Sequence, residues 1–158
     1  MFGASYSFTT ALKLVSVNAL YTSFHRLSKR GRAFKDKLSQ DLVQTPEFAA
    51  FADAVSPDEV LVISIEYHLK IYMKDGEFKS TKMDWDNGGK CLQDTLLDTI
   101  NGFRPDRPIN DHQILIGLVS QIDSPKPFTK VTLRSISKCQ YKDLVKQMRE
   151  IFWLTTSS

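Results

Sequence analysis

The chain has 158 residues and a formal net charge of +3, and 42% of its side chains are hydrophobic and 25% charged. This composition is typical of a globular protein that buries one core, so we expect a single domain over residues 1–158. Residues 1–12 have no basic segment ahead of an apolar run, and no apolar run approaches the roughly 18 residues that cross a bilayer. We therefore expect neither a secretory signal nor a membrane span, and a soluble protein.

The chain contains two cysteines, Cys91 and Cys139, and three scattered histidines. Without a C-x-x-C pair, neither a structural zinc site nor a disulfide framework is expected. Buried, reduced thiols fit a cytoplasmic location.

Positive charge is concentrated between Arg26 and Lys37, where six bases stand against one acid. Such a run usually marks a solvated helix face. It can also contact DNA phosphates. Such binding weakens steeply as the salt concentration rises and does not depend on the base sequence. Both interpretations stay open.

The first third of the chain predicts a strand, a loop and two helices. Alternation over Tyr6–Leu14 favours a strand, whereas Ser16–Tyr21 has no clear period and is expected to be a loop. Apolar residues that recur every four positions predict a helix from about Gly31 to before Pro46, and Phe48–Ala52 predicts a second, short helix.

The segment Val60–Met73 is rich in β-branched and aromatic residues and predicts a central strand. Its odd-numbered residues from Leu61 to Tyr67 fall on one face and its even-numbered residues on the other. Asp75-Gly76 is a turn signal that predicts a reversal into a short strand at Glu77–Lys82.

The remaining elements are predicted in chain order as a helix over Lys90–Ile100 capped by Gly102, an irregular segment over Phe103–Asn110, strands over Ile114–Ile122 and Phe128–Ile136, and a helix over Tyr141–Phe152. Together the elements predict one α+β domain, in which a mixed β-sheet is packed with two main helices.

Three acids and one lysine form the most informative pattern. Asp84 and Asp86, two positions apart in extended backbone, would project the same way and share a hard cation, and Asp111 from a distant loop would complete an oxygen-rich site. Carboxylate ligands favour Mg²⁺ or Mn²⁺. If a helix begins at about Asp86, Lys90 lies one turn on, and Asp94 one turn further could hold it in place.

Phosphodiester hydrolysis needs these parts. A metal ion polarises a phosphate oxygen and orients the attacking water, and a nearby cation offsets the charge that develops on phosphorus. A lone Asp-x-Asp pair is common in turns, so the prediction depends on Lys90 and Asp111 as well as on the pair.

The sequence resembles the RusA-like Holliday-junction resolvases in three blocks. These are Ser16–Tyr21 with the basic stretch after it, Asp84–Lys90 continuing to Asp94 and Leu96, and Asp111–Ile114 opening a strand. The resemblance implies a homodimeric, phage-type α+β endonuclease of DNA recombination and repair that uses Mg²⁺ or Mn²⁺ to nick four-way junctions symmetrically.

By position in the motifs, the resemblance implies that Asp84, Asp86 and Asp111 bind the metal and that Lys90 is the catalytic cation, with support from Asn87 and Asp94. The DNA-contacting residues would be Asn18, Tyr21, Lys29, Arg30, Arg32 and Lys35. Tyr21 can stack on an unpaired base, although packing on the core is favoured.

The sequence departs from the family pattern at three places. Gly88 and Gly89 occupy the first turn of the expected helix, where each glycine costs up to about 1 kcal/mol relative to alanine. Either the helix begins later or the backbone approaches DNA closely there. Asn110 stands where an additional acid often precedes the catalytic one. The third departure is the connection from Asp94 to Asp111, which is longer than usual. The two glycines and Asn110 motivate an alternative, a branched-DNA binding protein of the same fold without turnover. A further alternative is the same chemistry on nicks, flaps or duplex.

Overall fold

The structure is a computed structural model that describes residues 3–12, 26–80, 85–114 and 116–153. Within these residues it contains six strands, four α-helices and one 3₁₀ turn. In chain order they are β1 (Ser5–Thr10), α1 (Lys29–Val43), α2 (Pro46–Ala54), β2 (Val60–Leu69), β3 (Ile71–Lys74), β4 (Glu77–Ser80), α3 (Trp85–Phe103), the 3₁₀ turn (Asp111–Gln113), β5 (Ile116–Asp123), β6 (Phe128–Ile136) and α4 (Lys138–Trp153).

Four strands form one mixed sheet in the order β1-β6-β2-β5. β2 pairs with β6 antiparallel and with β5 parallel, and β6 pairs with β1 antiparallel. The predicted α+β class with a mixed sheet is therefore confirmed, and β2 is a central strand. The described residues contain four helices, at the four places where the sequence predicts them, although only two were expected to be main helices.

The two faces that the alternation of β2 predicts differ in burial. The odd-numbered residues Leu61, Ile63, Ile65 and Tyr67 are at most 1% exposed. Between them, the even-numbered residues from Val62 to His68 are half-buried. The helices therefore cover the odd-numbered face and leave the other face more open to solvent.

The helices bury the apolar stripes that the four-residue spacing predicts. Phe34, Leu38 and Leu42 of α1 are at most 5% exposed, and Phe48 and Phe51 of α2 at most 2%. The side chain of Ser28 accepts a hydrogen bond from the Gly31 N–H at 3.0 Å. This cap satisfies a donor that the helix leaves unpaired, which explains why α1 begins at Lys29.

Helix α3 connects the parallel strands β2 and β5 and runs back along β2. At its start, a Cβ placed on Gly89 would lie 3.8 Å from Cδ1 of Ile65. At its end, Asn101 hydrogen-bonds to the backbone of Ile109. The 3₁₀ turn that follows is docked on the first residues of β2, because the Gln113 amide donates to the carbonyls of Pro57 and Glu59. Parallel strands need such a crossover.

The hairpin β3–β4 forms a separate two-stranded sheet. Its turn is at Asp75 and Gly76, whose φ angles of 56° and 79° are left-handed, so the predicted reversal is confirmed. The Ile71 N–H donates to the Asp123 carboxylate at 2.9 Å and holds the hairpin to the end of β5. β2 ends at Leu69, so the predicted single strand through Met73 is in fact two strands.

Two smaller predictions were wrong. Gly102 lies inside α3, which ends at Phe103, and it does not have the left-handed φ of a helix cap. Cys91 is buried as expected, but Cys139 is exposed at the start of α4. In the part of the chain that the structure describes, no helix has the length and apolar character to cross a membrane.

Candidate functional site

The acidic pair of the main motif lies at the start of α3. Asp84 is outside the described residues, as are the side chains of Asp86 and Asn87. The backbone of Asp86 belongs to the first turn of α3, so the prediction of extended backbone there was wrong. Acidic residues are favoured in a first helical turn because they meet the positive end of the helix dipole.

Gly88 and Gly89 do not delay the helix, which runs through both. The later start that one interpretation of the two glycines required is therefore excluded. Gly89 is buried and faces Ile65 of β2. Its backbone consequently packs on the sheet rather than facing solvent.

Lys90 lies one turn after Asp86 and one turn before Asp94. Its Nζ is 3.8 Å from Oδ1 of Asp94, and the two side chains are 62% and 35% exposed. The expected contact between Asp94 and Lys90 is therefore present. An exposed pair at this spacing stabilises the helix by only about 0.3–0.5 kcal/mol. Its main effect is to direct the ammonium group of Lys90 along the helix.

Asp111 begins the 3₁₀ turn ahead of β5. Its side chain is 81% exposed, and its Oδ1 is 3.9 Å from Nε2 of His112. The Gln113 N–H donates to the backbone carbonyl of Asn110, and the side chain of Gln113 accepts a hydrogen bond from the Asn110 N–H. These two bonds fix the turn. The strand starts at Ile116, so Asp111–Ile114 does not open it directly.

Within one chain, the structure places Asp86 and Asp111 at opposite ends of the β2–α3–β5 unit. Asn101 is about four helical turns after Asp86, which corresponds to about 22 Å along the axis. Asn101 in turn bonds to Ile109, two residues before Asp111. The expectation that all three acids of one chain meet is therefore not supported by this topology.

The donor chemistry nevertheless fits a hard cation, because carboxylate oxygens are the ligands that Mg²⁺ and Mn²⁺ prefer. The residues that the structure describes contain no group of three His, Cys, Asp or Glu side chains able to hold a metal ion. Of the three predicted ligands, only the side chain of Asp111 is among those residues. A metal site built on the predicted ligands would need Asp84 and Asp86 together with a carboxylate from elsewhere.

The basic segment occupies the first turns of α1. Lys29, Arg30 and Arg32 are exposed, and Arg32 donates to the carbonyl of Leu27 at 3.2 Å. Asn18 and Tyr21, the other predicted DNA contacts, lie outside the described residues. The exposed cations thus share one end of one helix, where they are accessible to a phosphate backbone.

Lys35 differs from its neighbours because it joins α1 to α3. Its Nζ is 2.9 Å from the Asp98 carboxylate, and its side chain is only 22% exposed. Burial opposes its charge, but the hydrogen bond and the attraction to Asp98 and Asp94 outweigh that effect and raise the pKa of Lys35. Lys35 lines a cleft of about 270 Å³ between α1 and α3. Its contact with Asp98 indicates a structural role rather than the predicted DNA contact.

Arg104 is a buried cation that the sequence does not reveal. It is 3% exposed and donates Nη1 hydrogen bonds to the carbonyls of Ala52 and Val55 at the end of α2. Burial, followed by repulsion from Arg107, lowers the pKa of Arg104. Because the guanidinium satisfies carbonyls that a helix end leaves unpaired, its role is structural. No local pattern around Arg104 signals it.

No known family model and no curated protein matches this sequence. Among solved structures, the chain is similar to the periplasmic domain of MotB from Helicobacter pylori, with a TM-score of 0.30 and 6% sequence identity over 95% of this chain and 85% of that one. A likeness at this level carries no inference about fold or function.

Proposed function

We propose that this chain is a RusA-like, homodimeric endonuclease that cuts four-way DNA junctions with Mg²⁺ or Mn²⁺. The observation that supports the proposal is the start of α3, where Lys90 lies one turn after Asp86 and contacts Asp94. In the proposed site, Lys90 acts beside Asp84 and Asp86 on the same scissile phosphate. The proposed residues follow from the motif, with Asp84 and Asp86 as metal ligands.

Each side chain has a separate role in the proposal. When bound, the metal ion polarises a phosphate oxygen and lowers the pKa of the attacking water. Lys90 offsets the charge that develops on the phosphorane oxygens. Asp94 positions Lys90, and Asn87 supports the acids locally. The exposed cations Lys29, Arg30 and Arg32 hold the DNA by its phosphates.

The separation of Asp86 from Asp111 leads us to propose that the third acid comes from the second chain. A two-fold dimer has two such sites, each with Asp84, Asp86 and Lys90 from one copy and Asp111 from the other. The same symmetry would place two cuts on opposite strands of a four-way junction. Dimerisation would then be a requirement for metal binding and not only for symmetric cutting.

A nicking assay tests the function. On a labelled four-way junction, cleavage should require Mg²⁺ or Mn²⁺ and stop with EDTA. Asp84→Asn, Asp86→Asn and Asp111→Asn should each abolish it while junction binding persists, because phosphate contacts and metal chemistry are separable. Asp106→Asn is the matched control, an exposed acid near Asp111 with no proposed role. Full cleavage by the Asp86→Asn protein would refute the proposed site.

Mixed dimers test the sharing of the site. Neither Asp86→Asn nor Asp111→Asn should cut alone. If the acids come from two chains, a mixed dimer of the two variants contains one intact site and regains single-strand nicking. If all acids come from one chain, both sites of the mixed dimer stay defective and nothing is cut.

The second candidate is a branched-DNA binding protein of this fold without turnover, and the distance between Asp86 and Asp111 in one chain favours it. Such a protein would bind the junction as tightly as the nuclease but would leave it uncut with every divalent ion. Comparing junction, nicked, flap and linear duplex substrates at one salt concentration separates junction cutting from the same chemistry on other DNA.

A further inference from the structure

β5 is an edge strand with an unusually apolar surface. Among the described strands it pairs only with β2. Leu118 is 48% exposed, Val119 36% and Ile122 38%. By register, Leu118 and Ile122 lie beside Ser64 and His68 on the open face of the sheet, and Val119 lies on the helix-covered face. Apolar side chains therefore flank both sides of the outer edge of the strand.

This edge lacks the usual protection against pairing with another strand. Natural proteins block a free edge with lysine, proline or a bulge. β5 has only one charged residue, Asp123 at its end, and neither lysine nor proline. An unpaired edge strand of this composition tends to form hydrogen bonds with a strand of another chain.

The opposite edge of the sheet is different. The exposed residues of β1 are polar, namely Ser5, Ser7 and Thr9. Its apolar residues Tyr6 and Phe8 pack against the core. Of the two edges, β5 therefore has the apolar surface that favours pairing with another chain. The exposed polar positions of β1 serve as matched controls.

We infer that β5 is the surface through which a second copy of this chain binds, by antiparallel pairing of the two β5 strands across a two-fold axis. With Ser120 on the axis, Leu118 lies opposite the partner's Ile122 and Val119 opposite the partner's Gln121. Asp123 then faces a glycine, the partner's Gly117, so no like charges meet. The two four-stranded sheets become one sheet of eight strands.

Self-pairing explains the pattern better than addition of a strand from an unrelated protein. A two-fold pair is closed, because each copy covers the edge of the other and no edge of this type remains. The register that places apolar residues opposite each other on the open face is also the one that keeps the acids apart.

The inference deepens the proposed function, which needs two copies, but its support is the strand itself. In the antiparallel pair, the start of the partner's β5 lies at the end of the sheet where α3 begins. This is the end at which the proposed site lacks its third acid. Dimer geometry and nuclease activity can be measured independently, so a failure of one is distinguishable from a failure of the other.

Light scattering coupled to size-exclusion chromatography tests the interface. The wild-type chain should have twice the monomer mass at micromolar concentration. Leu118→Lys with Ile122→Lys should raise the dimer dissociation constant at least about tenfold, since apolar residues at the centre of an interface carry most of its affinity. Ser7→Lys on β1 should leave the mass unchanged. A wild-type monomer, or a dimer that tolerates the double substitution, would overturn the inference.

A cross-link keeps the test decisive if the lysine variants misfold. In a Cys139→Ser background, Ser120→Cys should be joined to its symmetry mate by a short bismaleimide, because the two residues face each other across the axis. Thr9→Cys on β1 is the control and should stay unlinked. Equal linking of both variants, or of neither, would contradict the β5 pairing. Linked dimers that fail to nick junctions would leave the interface standing and refute only the proposed function.

Discussion

The side-chain amide of Asn101 makes two hydrogen bonds with the backbone of Ile109, donating to its carbonyl and accepting from its N–H, each at 2.8 Å. These bonds close the irregular segment between them onto the last turns of α3. The segment leads directly into the 3₁₀ turn that carries Asp111, so one side chain fixes where that acid lies relative to the helix.

Replacing Asn101 with alanine should destabilise the chain by about 1–3 kcal/mol, because the N–H and the carbonyl of the buried residue Ile109 both lose their partner. Ile109 itself is 2% exposed. Urea denaturation followed by circular dichroism measures the change. Asp106→Ala, an exposed residue of the same segment, should shift stability by less than about 0.5 kcal/mol. Equal effects of the two substitutions would show that the Asn101 bonds do not hold the segment.

Gly89→Ala should stabilise the protein by up to about 1 kcal/mol, since alanine is the better helix former. The added methyl group would lie 3.8 Å from Cδ1 of Ile65, an ordinary contact. Gly76→Ala is the opposite case, because Gly76 has a φ of 79° that costs alanine roughly 1 kcal/mol or more. Thermal unfolding of both variants should give shifts of opposite sign. A loss of stability in the Gly89 variant would show that the helix lies closer to the sheet than described.

The free energy of unfolding at alkaline pH should depend on Tyr67. Burial raises the pKa of Tyr67 to about 12 from 10.0. A raised pKa means that the folded state holds the phenol proton more tightly, so the stabilisation is complete below pH 10 and is lost as pH rises towards 12. At pH 11 the loss is about 1 kcal/mol. Tyr67→Phe should therefore lose less stability than the wild type between pH 8 and pH 11 in chemical denaturation. Parallel curves for the two proteins would contradict this assignment.

DNA affinity should depend on the exposed cations of α1 and not on Lys35. Substituting Lys29 and Arg30 with alanine should weaken junction binding and reduce the slope of log affinity against log salt by about 1–2. Lys35→Gln should leave that slope almost unchanged, because its ammonium group is bound to Asp98. Fluorescence anisotropy at several salt concentrations provides both slopes. A large change of the slope with Lys35→Gln alone would show that Lys35 contacts the DNA.

Local patterns in the sequence predict most of the elements of this fold. The alternation in β2 separates the residues of its two faces, and the strand Phe128–Ile136 has the bounds that its composition predicts. The start of α3 was less predictable, because Asp86 and the two glycines favour a helix only weakly. Cys91 and Leu92 are both 0% exposed. Their packing outweighs the weak helix propensity of the preceding residues, so that the helix begins at Trp85 rather than at Lys90.

The candidate site was harder to predict because its geometry depends on pairing between distant strands. Nothing in the local sequence of β2 or β5 states that they lie parallel. Once they do, the crossover helix must start at one end of the sheet and finish at the other, which separates Asp86 from Asp111. The motif predicts which residues form the site, whereas only the topology shows that one chain keeps Asp86 and Asp111 apart.

The pairing of β1 with β6 joins residues near position 5 to residues near position 134. During synthesis on the ribosome, the first strand must therefore wait until almost the whole domain has emerged before its hydrogen-bonding partner exists. Contacts between such distant positions slow folding, because the entropy of closing the long intervening loop is lost before the contacts form. Pairing of β1 with β6 is consequently a late step, and Tyr6 and Phe8 stay accessible for aggregation until it occurs.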